Sequence, residues 1–497
     1  MARVSKKTRP RRRPAPAASA PGREDTGTLV DRLVGSLWQA VAAGEPLRAE
    51  LEAATCMALP RVGQLDPADA QAFISKVLVN EAVREPSSEG AAMLRMLMAL
   101  GSSSTKRAAS RALAGLTEAG IYPPDWVTEV GKATPVQAWR RYDVFGDDEA
   151  VAVTFRYGEA EHGIVGQIDR TGMPVAVAVG VASNANSLIE AMSREDDPFD
   201  RVEQISLAEA RRRLEEPLAR SDEEANPGLS VDTLAYLPVA RSRVRRLPAD
   251  GAVPVFTAAD RAAAVDDFLK SPLAAEAVAA DEDATRFWAE VLTGYSSRIP
   301  GEPPAQVGPR KIAYVLLGQV PNAYTLSAAQ RRHLEPAVTA WIGWSAEHRG
   351  LDEAATARLA ESLPEVFGRF DQAYDDPDAV TARSYLTDLG VADADLSALS
   401  GHVARRMFAV PVPSPADDGT PVDVGDPAVR RALIEAEFAD CTPHEGLGRE
   451  EFMAAVHRVV AELWDDDPAE TFAAARRLFG SGAERHDIIH TLAEKGS

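Results

Sequence analysis

The sequence predicts a mainly α-helical, multidomain protein with one α+β module, on three observations. Apolar residues recur at helical spacing over most of the 497 residues, the pattern that gives each helix one buried face. Between about 149 and 180 the period shortens to two, as a strand requires. Stretches rich in Pro, Gly and acids break both patterns, notably SDEEANPG at 221–228 and AVPVPSPADDGTPVDVGDP at 409–427, where a chain passes between domains.

Taken in order, residues 1–25 combine Arg and Lys with Pro and Ala, a composition that builds no packed element and predicts a disordered basic tail. Residues 26–135 predict a helical domain: Val30, Leu33, Val34, Leu37 and Val41 repeat at helical spacing, as do residues in 68–79, 90–100 and 106–118. Met93, Met96 and Met98 read as core there. Residues 136–220 predict an α+β domain. Its antiparallel meander runs through 149–157, 162–169 and 173–180, followed by a helix over 184–194, a short strand at 202–205 and a helix over 206–220. A linker over 221–256 carries Arg241, Arg243, Arg245 and Arg246, expected to pair with the acidic body. A second helical domain, 257–408, opens on a Thr257/Asp260 capping box and takes Trp288, Trp341, Trp344, Phe287, Phe367 and Phe370 into its core. After a linker at 409–427, residues 428–497 predict a C-terminal helical bundle.

Charge is uneven. Eight basic residues and no acid occupy the first 23 positions, which leaves 46 basic against 75 acidic residues, a net of −29, for the rest. Lys6, Lys7, Arg9, Arg11, Arg12 and Arg13 can contact phosphates with a steep salt dependence. The acidic body repels nucleic acid and anionic membrane. Only Cys56 and Cys441 occur, too few and too far apart for a disulfide framework or a cysteine zinc site. No apolar run approaches the ~18 residues of a membrane span, and no apolar core follows the basic start as in a secretory signal. A cytoplasmic protein with no membrane partner is the expectation.

The densest chemistry lies at the C-terminal end. His457 falls on a stripe with Met453, Val460 and Trp464, while His486, His490 and Glu494 are four apart on one helical face. If the two helices face each other, two or three imidazoles and a carboxylate meet, a donor set suited to a divalent zinc, iron or manganese ion. Arg485-His486 and His490, after a Gly and a D-D-P-x-E-T turn, resemble the C-terminal module of a bacterial family known as a domain of unknown function. The resemblance covers HRVVAELWDDDPAETFAAARRLFGSGAERHDIIHTLAE. The segment GDDEAVAVTFRYGEAEHGIVGQID and the domain order are similar to actinobacterial hypothetical proteins that carry that module. The resemblance implies a further histidine one turn before His457 and a carboxylate one turn after it, where this chain has Met453 and Ala461.

Other groups read as ordinary structure. His162 and Asp169 are seven apart on one strand and so on opposite faces, a surface histidine and a strand-end carboxylate. Asp147, Asp148 and Glu149 follow Gly146 as a solvated turn. The chain lacks a phosphate loop, a dinucleotide fingerprint, a nucleophile elbow and an H-E-x-x-H helix, and Cys56 lies in an apolar helix. The expected role is therefore a non-enzymatic interaction or adaptor protein with a protein partner. The alternatives are a metal-dependent enzyme, such as a hydrolase, using His457, His486, His490 and Glu494, and a nucleic-acid-associated protein acting through the basic arm.

Overall fold

A computed structural model of the chain describes residues 26–497 apart from 63–66, 85, 195–196, 224–228, 250–253, 297–298, 300, 389–395, 412–421, 423, 440, 442–447, 466, 481–483 and 496–497. The basic residues Lys6 to Arg13 and most of the 409–427 linker thus lie outside the described residues. The described chain is mainly helical with one five-stranded antiparallel sheet. Its contacts divide it into two compact units. The first takes the chain up to Thr134 with 156–160 and Leu229–Arg246; the second takes Pro135–Phe155, Glu161–Gly228 and everything from Leu247.

The first unit is helical. Ser87 caps Ser88–Leu100 by accepting from the Gly90 N–H, and Ser102 caps Ser103–Glu118 by accepting from Thr105. Met93 and Met96 are fully buried, as core methionines should be. The stretch expected as a linker holds the helix Val231–Val244, which packs on Pro46–Val62. Arg243, expected to pair with an acidic group, does so fully buried. Its guanidinium meets both carboxylate oxygens of Glu50, Nη1 at 3.3 Å from Oε1 and Nη2 closer still to Oε2. Glu50 Oε1 also accepts from the Tyr157 hydroxyl at 2.8 Å and from the Gly131 N–H at 2.9 Å. A cation without solvent must be paired and hydrogen-bonded, and this one is.

In the second unit, apart from the strand-end residues Thr134, Arg156, Tyr157 and Ala160, β1 (Thr134–Asp143), β2 (Asp148–Tyr157), β3 (Ala160–Asp169), β4 (Val175–Ala182) and β5 (Asp200–Ile205) form a sheet in the order β4-β3-β2-β1-β5. β1 is an addition to the predicted meander. It pairs antiparallel with β5 from Ala138 opposite Ile205 to Asp143 opposite Asp200. The central β2 is buried without a break from Glu149 to Phe155, because helices cover both faces. A Cβ on Gly163 would collide with Leu188, on helix Ala185–Met192, and one on Gly166 would lie 2.7 Å from Leu214, on helix Leu207–Glu223. Glycines three apart on β3 point to opposite faces, so each admits its own helix. His162 is buried too, stacked on Phe155 with ring centroids 5.8 Å apart; two-sided cover removes the surface position expected for it.

The Asp147-Asp148-Glu149 run is likewise no solvated turn. Asp143 accepts from the N–H groups of Gly146, Asp147 and Asp148 at 2.5, 3.2 and 2.6 Å, and Gly146 takes a φ of 80° that favours glycine. Asp147 and Glu149 are buried. Asp147 accepts from the backbone N–H groups of Arg310 and Lys311 at 2.8 and 3.3 Å. The buried Lys311 ammonium donates to both oxygens of Glu302 at 2.8 and 2.7 Å and to the Gly146 carbonyl at 2.7 Å.

Beyond the sheet, Thr257 and Asp260 form the expected capping box. Trp288, Trp341, Trp344 and Phe370 are buried in one core, with Phe287 and Phe367 packed against it. The last helices, Pro427–Glu437, Arg449–Asp465, Ala469–Gly480 and Arg485–Lys495, close over a core that includes Phe438, Phe452, Val456, Ile488 and Ile489. Arg449–Asp465 and Arg485–Lys495 are packing neighbours.

Candidate functional site

The C-terminal histidines are held apart, each with its own partner. His457 Nε2 lies 3.6 Å from Glu435. His490 Nδ1 lies 3.2 Å from Glu494, one turn along its own helix, and the His490 ring tilts against Phe452 at 4.8 Å. Among the described residues, no three or more His, Cys, Asp or Glu side chains gather closely enough to hold a metal ion.

His486 is instead part of an arrangement that helical spacing does not reveal. Its Nε2 lies 3.0 Å from the sulfur of Cys441 and its Nδ1 lies 3.5 Å from Glu437 Oε1. A proton on Nδ1, toward the carboxylate, leaves Nε2 as the acceptor facing the thiol. The order thiol, imidazole, carboxylate is that of an activated nucleophile with its base and the group that orients the base.

Local sequence explains how each side chain is placed. Helix Pro427–Glu437 begins with Asp426 as its cap and Pro427 in its first turn and ends on Glu437. The chain then turns over Phe438, and the Cys441 N–H donates to the Phe438 carbonyl at 3.2 Å. Arg449 fixes that turn from outside, donating to the carbonyls of Cys441 at 2.6 Å and of Phe438 and Ala439 at 2.8 Å. The carbonyls that follow a helix end need such donors, and here they bring the thiol into register with the last helix. His486 sits in the first turn of that helix, its ring stacked on Phe438 with centroids 4.4 Å apart and planes 14° apart. Bonded carbonyls, a stacking partner and a carboxylate thus restrict the imidazole and the thiol together.

Glu437 is shared. Arg485 donates to its Oε1 and also to the carbonyls of Phe408 at 2.6 Å and Ala409 at 2.9 Å. Burial pulls the Arg485 guanidinium below its ordinary range, against the pull of Glu437. Glu437 Oε2 is buried without a hydrogen-bond partner among the described residues. Cys441 itself is partly exposed, as is His486 at 37% of its side chain, so a reagent can reach the pair. Residues 442–447, which follow the thiol directly, lie outside the described residues.

The other cysteine is a control within the same chain. Cys56 is buried, and burial, with Glu52 adding repulsion, pushes its thiol up to about 12. It is chemically quiet. Sequence reasoning passes over Cys441 because its partner is 45 residues away; the one available signal is that a cysteine opens the connection between two predicted helices of the histidine-bearing bundle.

No family model, curated protein or solved structure matches the chain. Among the described residues no helix is long and apolar enough to cross a membrane.

Proposed function

We propose that the protein acts through Cys441 as a nucleophile, with His486 as its base and Glu437 orienting the imidazole, in acyl transfer or hydrolysis at an electrophilic carbonyl. The observation that carries the reading is the 3.0 Å approach of Cys441 Sγ to His486 Nε2. The thiolate is the nucleophilic form of cysteine, and an imidazole at hydrogen-bond distance takes its proton as the sulfur attacks. The new S–C bond forms as the leaving group departs, and the proton held on Nε2 passes to that leaving group. Glu437 keeps Nδ1 protonated and so keeps Nε2 available. This reading replaces a metal-dependent use of the histidines with one in which His486 faces a thiol and a carboxylate.

The test is the alkylation rate of Cys441 by iodoacetamide, read by mass spectrometry of the intact full-length chain from acid to mildly alkaline pH. The expectation is a rate at neutral pH about tenfold or more above that of free cysteine. His486→Asn should reduce it to the free-thiol rate, and Glu437→Gln should slow it several-fold. A wild-type rate equal to that of free cysteine, or one unchanged in His486→Asn, overturns the reading.

A further inference from the structure

The buried charges beside β2 leave a cavity of ≈ 150 Å³ in the second unit, lined by Arg170, Arg212, Arg213 and Glu216 with three prolines and Gly301. Arg170 Nη1 donates to Glu149 Oε1 at 2.8 Å, and Arg213 Nη1 donates to Glu149 Oε2 at 2.9 Å. One buried carboxylate therefore holds two guanidiniums side by side. The far edge of each is fixed as well. Arg170 Nε and Nη2 donate to Glu302 at 3.1 and 2.9 Å, while Arg213 Nε and Nη2 donate to Glu209 at 3.0 and 2.8 Å.

A guanidinium carries five N–H donors. These bonds use three on each arginine and, among the described residues, leave the second N–H of every Nη, four donors on two planar cations whose positions are already set. The prolines of the wall bring no backbone N–H, and Glu216, the acid of the wall, is engaged by Arg220. Around the cavity, five cations, Arg140, Arg170, Arg212, Arg213 and Lys311, share Glu149, Glu302 and Glu209. Glu203, which also meets Arg140 at 3.2 Å, is 45% exposed and screened by solvent. The wall itself sets three guanidiniums, Arg170, Arg212 and Arg213, against one carboxylate, Glu216, within a chain of net charge −21.

From this geometry we infer that the cavity is a binding site for a small tetrahedral oxyanion, a phosphate group, held between the unused N–H donors of Arg170 and Arg213 with Arg212 at its wall. Paired guanidiniums match the oxygens of phosphate bidentately. The volume is below the ~300 Å³ at which ordinary ligand pockets begin, so the site takes a single anionic group and excludes a nucleotide base. The site is independent of Cys441 and is tested without reference to it.

The experiment is calorimetric titration of the full-length protein with inorganic phosphate at constant ionic strength, with sodium acetate as the planar anion and sodium chloride as the blank. Saturable phosphate binding is expected. Arg213→Lys keeps the charge but loses the fork and should weaken binding about tenfold or more. Arg212→Gln, at a wall position more accessible to solvent, should weaken it several-fold with the thermal midpoint unchanged, which separates loss of binding from loss of fold. Absence of saturable phosphate binding, preference for acetate, or binding that both variants retain in full, as contact with the basic N-terminal arm would give, each overturns the inference.

Discussion

Asp147 is a carboxylate placed where a carboxylate is costly. Burial raises it from 3.8 to about 6, Lys311 and the Arg310 N–H oppose that rise, and Asp143 adds to it. A carboxyl whose folded value lies above its unfolded one binds its proton more tightly in the native state. Its contribution to stability is therefore complete below about 3.8 and is lost as the pH rises through about 6. Asp147→Asn keeps an acceptor for the Arg310 N–H and removes the titration. Each tenfold difference in proton affinity between the folded and unfolded chain is worth about 1.4 kcal/mol. The stability of wild type relative to this variant should therefore fall across that window by up to about 3 kcal/mol, as measured by urea unfolding at a series of pH values. A difference that stays flat with pH would show that Asp147 does not titrate there. At this scale the sequence was legible where local spacing decides and opaque where distant chain does. The Thr257/Asp260 box and the core methionines follow from neighbours in sequence. The burial of Asp147, Glu149 and His162 follows from helices that arrive later in the chain, and Cys441 meets its histidine only through the turn that Arg449 secures.

Among the elements, helix Val231–Val244 shows why a linker and a helix are easily confused in sequence. It contains Pro238 and ends in arginines, features of a solvated connection, yet Ala235, Leu237, Val239, Ala240 and Arg243 are all buried. What converts the arginine from a surface group to an interior one is Glu50, 193 residues earlier. Arg243→Met should leave Glu50 uncompensated and destabilise the first unit by about 3–5 kcal/mol, and Glu50→Gln in the same chain should restore part of the loss. Denaturant unfolding of the two variants measures this; equal stability of wild type and Arg243→Met would make the pair dispensable. β1 escapes the period-two reading because Ala138 is its only fully buried residue, so its two faces carry no contrast. β2 shows the opposite effect, since cover on both faces buries every residue from Glu149 to Phe155 and makes alternation uninformative about exposure.

At the scale of the whole molecule, the helical class and the single sheet follow from periodicity, while the partition into units does not, because each is assembled from separated stretches of chain. Two compact units predict two heat-absorption transitions in scanning calorimetry. Arg243→Met should lower one of them and inorganic phosphate should raise the other. A single transition displaced by both would mean that the units unfold as one. The interleaving also sets a schedule for the newborn chain. Glu50 leaves the ribosome long before Arg243, and at about 5–20 residues per second the 193 residues between them take on the order of 10–40 s to synthesise. For that interval the first unit lacks both its last helix and the counterion of its innermost acid, so it cannot be completed until much of the sheet has already been translated.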